Sequence, residues 1–205
     1  MNDVIDLLPK LFEATGATLY MVALSLVFGG VGGLFVGLLL YLTRKGNLYE
    51  QPVVSTIVNI IVNFFRPIPF IIFIAAVQPV SRMIVGVGIG AEAAIVAMSL
   101  AATFGISRLV EQNLLTVSPG VVEAARSAGA GRFQIVWSVV VPEALGPLIL
   151  GYTFAVVALV DMSAIAGAIG AGGLGDFAIQ YGYRQFNPAV TWAAVIVIVV
   201  IVQGL

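Results

Sequence analysis

Two charges set in apolar sequence are the strongest chemical candidates in this chain. Arg66 follows Asn63, Phe64 and Phe65, and Asp161 lies in Leu159-Val160-Asp161-Met162-Ser163. A charge at the centre of a hydrocarbon layer costs several kcal/mol, so such residues face a bundle interior or a wet cavity. For Arg66 two readings stand. One is a pathway or gating element that meets a substrate carboxylate. The other, which is favoured, is a structural ion pair with Asp161 or Glu50. Asp161 could recognise an amino group, pair with Arg66 or mark a particular substrate, and the residues do not choose among these. The chain has 205 residues with no cysteine and no histidine. That removes thiolate metal and redox sites, the usual general base and the commonest neutral metal ligand. No catalytic, cofactor-binding or metal-ligating residues are expected. Gly170-x-Gly172-x-x-Gly175 has the letters of a dinucleotide fingerprint, but it lacks a preceding strand and a βαβ context. A close-packed re-entrant or extracytoplasmic turn is expected there instead. No GxxxxGK[ST] phosphate loop is present, so ATP binding by this chain is not expected.

These residues must be held by elements suited to an apolar solvent. Apolar residues make up 60% of the chain and charged residues 9%, against roughly 25% charged in soluble domains. Mean hydropathy is +1.11. Net charge is −1, which gives no electrostatic case for nucleic acid. The composition predicts an all-α integral membrane protein in contact with lipid. Five apolar stretches are long enough to cross as helices: about Ala17–Leu42, Val53–Val77, Ile84–Ser107, Glu143–Ile165, and Ala189 to the end. Pro67 and Pro69 predict a kink or break in the second. MNDVIDLLPKLFEATGA, with Asp3, Asp6 and Glu13, does not read as a cleavable signal; it predicts a short amphipathic segment at a membrane surface. A single domain over residues 1–205 is expected, and a tail beyond the fifth stretch is left open.

Basic residues orient the spans. Arg44 and Lys45 follow the first span, and Arg108, Arg126 and Arg132 fall between the third and fourth; the other side holds Lys10, Arg82 and Arg184. The bias places the loop at about 118–142 in the cytoplasm, with the N-terminus outside and the C-terminus inside. Glu92 and Glu111 bracket the third span, as residues near the two membrane surfaces. Tyr181, Tyr183 and Trp192 suit interfacial positions around the fifth. Gly29, Gly33 and Gly37 line one face of the first span. They predict close approach of another helix, in a partner or in the same subunit.

The loop SPGVVEAARSAGAGRFQIVWSVVVP, Ser118 to Pro142, carries the functional argument. Ser118 is placed to cap a helix with its side chain and Pro119 to open it. Val121–Ala128 is a helical run, and Gly129 can end it in a left-handed conformation. So short a helix needs a partner or its flanks to hold it. Val121, Val122, Ala125 and Ala128 are expected to form one small apolar face. Few large apolar residues and one cation argue against a helix lying on lipid.

Glu123-Ala124-Ala125, three further residues, Gly129, and then Val139-Val140-Val141-Pro142 resemble the EAA motif of permease subunits of bacterial ABC importers. The family pattern ends in Ile-x-Leu-Pro, so the departure is conservative. Arg66-Pro67-Ile68-Pro69-Phe70, Ile84-Val85-Gly86, Gly167 to Gly175 and Gln180-Tyr181-Gly182-Tyr183 are similar to the methionine-uptake branch. The resemblance implies a type I ABC importer permease with five transmembrane helices and a cytoplasmic coupling helix, in the bacterial cytoplasmic membrane. Glu123, Ala124, Ala125, Gly129, Val121 and Val122 would engage the ATPase. The implied partners are a second copy of the chain, two cytoplasmic ATPase subunits that bind ATP and Mg, and an extracytoplasmic substrate-binding protein. Ile165 matches a position where the resemblance implies an apolar gate, and Arg66, Asp161 and Met162 join it as pathway candidates. Asp161 departs from that branch, which is apolar or weakly polar there. The expected function is an energy-coupled importer of an amino acid, methionine first. The alternatives are another amino acid or small solute, or a stand-alone secondary transporter. An intramembrane enzyme is disfavoured.

Overall fold

The computed structural model describes the backbone of residues 2–204 and the side chains of residues 4–204. Asp3, part of the expected amphipathic segment, and Leu205, the end of the fifth stretch, therefore lie outside the side chains described. Eleven α-helices follow in order: α1 Asn2–Asp6, α2 Leu8–Thr43, α3 Pro52–Phe65, α4 Phe70–Val85, α5 Ala91–Leu114, α6 Pro119–Ser127, α7 Arg132–Ile135, α8 Val141–Glu143, α9 Leu145–Ala166, α10 Gly173–Phe177 and α11 Pro188–Gln203. Wide π-helical turns occupy Val136–Val140, Gly167–Ala171 and Ala178–Tyr183.

The expected all-helical architecture is present, with different bounds. Three helical segments, Leu8–Thr43, Ala91–Leu114 and Leu145–Ala171, are long and apolar enough to cross a membrane among the described residues. The pair α3 and α4 makes a fourth if it is counted as one broken span, while Pro188–Gln203 is shorter. The first span begins earlier than expected. Residues from Leu8 join one 36-residue helix, about 54 Å long at 1.5 Å per residue. Only α1 is separate from it. No proline or glycine cluster interrupts Leu11–Ala17, so the helix runs on through the polar residues. The second stretch breaks at Arg66–Pro69, as the prolines require, and its second arm reaches Val85 rather than Val77. Gly86, at φ +80°, ends that arm, and α5 starts only at Ala91.

The chain divides into two compact units. Unit 1 comprises residues 1–28, 68–101 and 156–205; its core joins Leu11, Leu174, Phe177, Val190 and Ala194. Thr18, 2% exposed, accepts the Leu174 backbone N–H through its hydroxyl at 2.9 Å. Lys10 lies 4.6 Å over the Tyr181 ring and donates to its hydroxyl. The glycine-rich stretch kinks at Ile169 and Gly170, the latter at φ +99°, and α10 follows. A helix precedes this stretch, so the dinucleotide reading stays rejected. At Gly175 a Cβ would stand 2.2 Å from the Ala164 carbonyl oxygen, so α10 packs backbone to backbone against the end of α9.

Unit 2 comprises residues 29–67 and 102–155. Here the glycine face of α2 meets α5 of the same chain. A Cβ at Gly33 would lie 2.6 Å from Ile106 Cβ, and one at Gly37 2.5 Å from Val110 Cβ. Tyr152 on α9 donates to the Gly30 carbonyl at 2.7 Å. Asn113 on α5 donates to the Pro147 carbonyl at 3.0 Å.

Candidate functional site

The 118–142 segment folds as a short exposed helix followed by a second turn region. Pro119 takes the first turn of α6, where its missing N–H leaves nothing unpaired. Ser118 does not cap the helix with its hydroxyl. Its carbonyl accepts from Val121 N–H at 3.1 Å instead, and the extended Ser118 backbone presents that oxygen. At the other end Gly129 has φ +84°. Its N–H donates to the Arg126 carbonyl at 2.9 Å, and Ala130 N–H donates to the Ala125 carbonyl at 3.1 Å. These paired bonds are the Schellman closure, and the left-handed φ is the reason a glycine stands there.

No residue of α6 is buried. The expected single apolar face is divided: Val122 and Ala125 are half-buried, whereas Val121, Ala124 and Ala128 are exposed beside Glu123. The division follows from the cleft under the helix, where Val122, Glu123 and Arg126 face Tyr41, Arg44, Lys45 and Leu115. Arg126 and Arg132 line a second cleft with Tyr49 and Glu50, and the Arg132 guanidinium lies 5.7 Å over the Tyr49 ring. The helix thus offers small side chains outward, with Glu123 exposed at the edge of the cleft, and rests its other edge on the loop after α2.

The pathway candidates are placed as follows. Arg66 is exposed and caps the C-terminus of α3, the first arm of the broken span. Asp161 is exposed, and Met162 and Ile165 are half-buried, all on α9. Among the described residues neither Arg66 nor Asp161 takes part in an ion pair. Glu50 accepts from Gly46 N–H at 3.0 Å. The expected pairing of Arg66 with Asp161 or Glu50 is therefore not made in the single chain. Both charges stand on its surface. Unit 1 also holds a cavity of about 390 Å³ walled by Ile71, Ile74, Ile89 and Ile169, with Gln78 and Ser81 as its polar groups.

At α5 Arg108 lies within the helix rather than in a loop, and Glu111, three residues from the end of that helix, is buried, 9% exposed. The two form an ion pair. The spacing of three between them was the available signal, since such residues are neighbours on a helix face. Glu92, by contrast, stays accessible and accepts from the Tyr20 hydroxyl at 3.2 Å.

Long apolar helices with a small polar-edged helix on one connecting loop define a membrane transport subunit. The chain belongs to the family of binding-protein-dependent transport system inner membrane components, matched over residues 29–204. It is 40% identical over 193 residues to a probable D-methionine transport system permease protein MetI of Vibrio cholerae serotype O1, covering 94% of this chain and 86% of that relative. It is 43% identical over 195 residues to the methionine import system permease protein MetP of Bacillus subtilis strain 168, covering 95% and 88%. Among solved structures, a chain of the inward-facing MetNI methionine ABC transporter superposes with a TM-score of 0.93 at 42% identity, covering 97% of this chain and 92% of that one. An amino acid ABC transporter crystallised with histidines shares the fold alone, with a TM-score of 0.72 at 18% identity over 98% and 96% of the two chains. The resemblance drawn from the EAA-like residues holds at the level of the family.

Proposed function

We propose that this chain is the membrane subunit of a methionine importer, working as one permease domain in a homodimer with two cytoplasmic ATPase subunits and an extracytoplasmic binding protein. The observation that carries the coupling role is α6: a helix of nine residues without a buried side chain, closed by a glycine cap and resting on the loop after α2. A helix this short is unstable alone, and its small outward residues suit a groove in another protein. Glu123, Ala124, Ala125, Val121, Val122 and Gly129 form the docking element. ATP-driven closure of the ATPase pair moves the two copies of α6, and the permease dimer alternates between inward- and outward-facing states. The ATP and Mg belong to the partner.

The full set of five spans counts α3–α4 as one broken span and α11 as the fifth, and the excess of basic residues in the loops supports the N-terminus outside and the C-terminus inside. Arg66, Asp161, Met162 and Ile165 are the residues of the path or gate, and the two unpaired charges support that assignment. Methionine as substrate is supported by the names of the relatives in two bacteria and of the MetNI neighbour.

Purification in mild detergent with the neighbouring ATPase subunit co-expressed tests the assembly. A stoichiometric complex is the expected result; permease recovered alone, with full uptake activity, would refute the reading. Uptake of labelled amino acids into vesicles containing the complex and its binding protein tests the substrate. Failure of methionine to compete best overturns the substrate and leaves the permease assignment standing.

A further inference from the structure

Arg108 anchors a hydrogen-bonded cluster between α5 and α3. Its Nη1 donates to Glu111 Oε2, and its Nη2 donates to Asn59 Oδ1 at 2.7 Å and to Asn63 Oδ1 at 2.8 Å. The Asn59 amide is oriented for this, because its Nδ2 donates to the Ser55 carbonyl at 2.7 Å and leaves the oxygen toward the guanidinium. Arg108 and Glu111 side chains are only 14% and 11% exposed. Asn59 and Asn63 lie one turn apart on one face of α3, while Ile57, Ile60 and Phe64 on the same helix are exposed. One turn before Arg108 on α5, the Phe104 ring stacks on Phe65, two residues beyond Asn63, at 4.8 Å and 10°.

Burying a paired charge is a poor way to gain stability, because desolvation offsets most of the attraction. What the planar guanidinium supplies is geometry. A slip of α3 along α5 by one residue would break both amide contacts, while the pair with Glu111, which lies within α5, would remain. The link to α6 leaves α5 after Leu114, at this same end. Leu115, Thr116 and Val117 donate back to Glu111, Asn113 and Leu114 carbonyls, so the link into α6 has little slack.

We propose that Arg108 is a positioning residue for energy coupling: it splints α3 to α5, so that movement imposed on α6 is carried to the first arm of the broken span and to Arg66 at its end. This rests on α6 being the element that docks into the ATPase. The splint works through Asn59 and Asn63, and Arg108 itself touches no substrate.

The test uses the complete complex in lipid vesicles with its binding protein, and measures labelled L-methionine uptake per ATP hydrolysed. Arg108→Met would strand Glu111, so the deciding variant is Asn59→Leu/Asn63→Leu, which removes the cross-helix bonds and keeps the ion pair. The complex is expected to assemble and hydrolyse ATP, with uptake per ATP reduced about fivefold or more, the lower range of ordinary coupling factors. Asn63→Leu alone, at an exposed position, should shift the ratio in the same direction. Arg108→Lys, which keeps the charge without the fork, should give an intermediate ratio. An unchanged ratio in the double variant overturns the proposal, since a merely structural role would alter yield but not stoichiometry. Gly129→Val, assayed in parallel, separates the two ideas. If it uncouples while the asparagine variants do not, only the splint fails. If it leaves coupled uptake intact, the docking role of α6 fails as well.

Discussion

Gly37 shows how one missing side chain sets a helix contact. A Cβ there would stand 2.5 Å from Val110 Cβ and 2.7 Å from the Ser107 carbonyl oxygen, and neither the backbone nor a β-branched residue can yield cheaply. Gly37→Leu is expected to destabilise the subunit by at least about 1–3 kcal/mol, the usual cost of overpacking, read as a lower thermal midpoint of the purified complex. Gly16, with nothing within 4 Å of its Cβ position, is the control, and Gly16→Ala should leave that midpoint unchanged or raise it slightly. At Asp161 the expectation is reversed. Among the described residues the carboxylate has no ion-pair partner, so Asp161→Asn should leave stability within about 0.5 kcal/mol and change uptake instead. A large drop in melting temperature with normal uptake would show that the carboxylate holds the fold. The spacing of Gly29, Gly33 and Gly37 was legible in the sequence, but its partner was not. Small residues at every fourth position look the same whether the neighbouring helix belongs to the same chain or to another copy.

At the scale of the element, two interruptions bear on the proposed mechanism. Gly129 closes α6 at φ +84°, where an L side chain costs roughly 1–2 kcal/mol. Gly129→Val should therefore fray the end of α6 without touching the apolar helices. Total helicity by circular dichroism is expected to stay nearly constant while substrate-stimulated ATP hydrolysis is lost. The break between α3 and α4 is the second. Pro67 and Pro69 lack the N–H groups that would continue the first arm, and Pro69 instead offers its carbonyl to Ile72 and Phe73 at 2.9 and 3.0 Å. Pro67→Ala/Pro69→Ala restores both donors and should reduce uptake while assembly with the ATPase persists. Full uptake by that variant would separate the break from transport. Both interruptions were readable from residue type, because proline and glycine act on their own backbone. The far end of α4 was not readable, since Gln78, Pro79, Ser81 and Arg82 read as the close of an apolar stretch, yet the helix runs through them. Only Gly86 marks the stop.

For the whole molecule, the orientation of the spans is open to a clean measurement because the chain has no cysteine. Lys45→Cys is expected to react with a membrane-impermeant maleimide only after the membrane is opened, and Arg184→Cys to react in intact cells. The reverse pattern would invert the topology and place α6 away from any cytoplasmic ATPase. The charge bias behind this expectation counted Arg108 among the loop residues. The structure puts Arg108 inside α5, paired to Glu111, and likewise Lys10 inside α2 and Arg82 inside α4, so the basic residues outside the long apolar helices are Arg44, Lys45, Arg126 and Arg132 against Arg184.

Composition and local order by themselves determined the membrane class, the all-helical architecture, the break at Pro67 and Pro69, and the short helix closed by Gly129. Each depends on solvent preference or on backbone chemistry within a few residues, and those are written directly in the residues. The tertiary structure alone decided that Gly33 and Gly37 of α2 pack on α5, that Ser118 caps with its carbonyl, that Arg66 and Asp161 make no ion pair among the described residues, and that Arg108 reaches Asn59 and Asn63. The last contacts join positions 49 and 45 residues apart. A hydrogen bond at that separation leaves no periodicity in the chain; it exists only because the packing of two helices brings a guanidinium and two amides to within 3 Å.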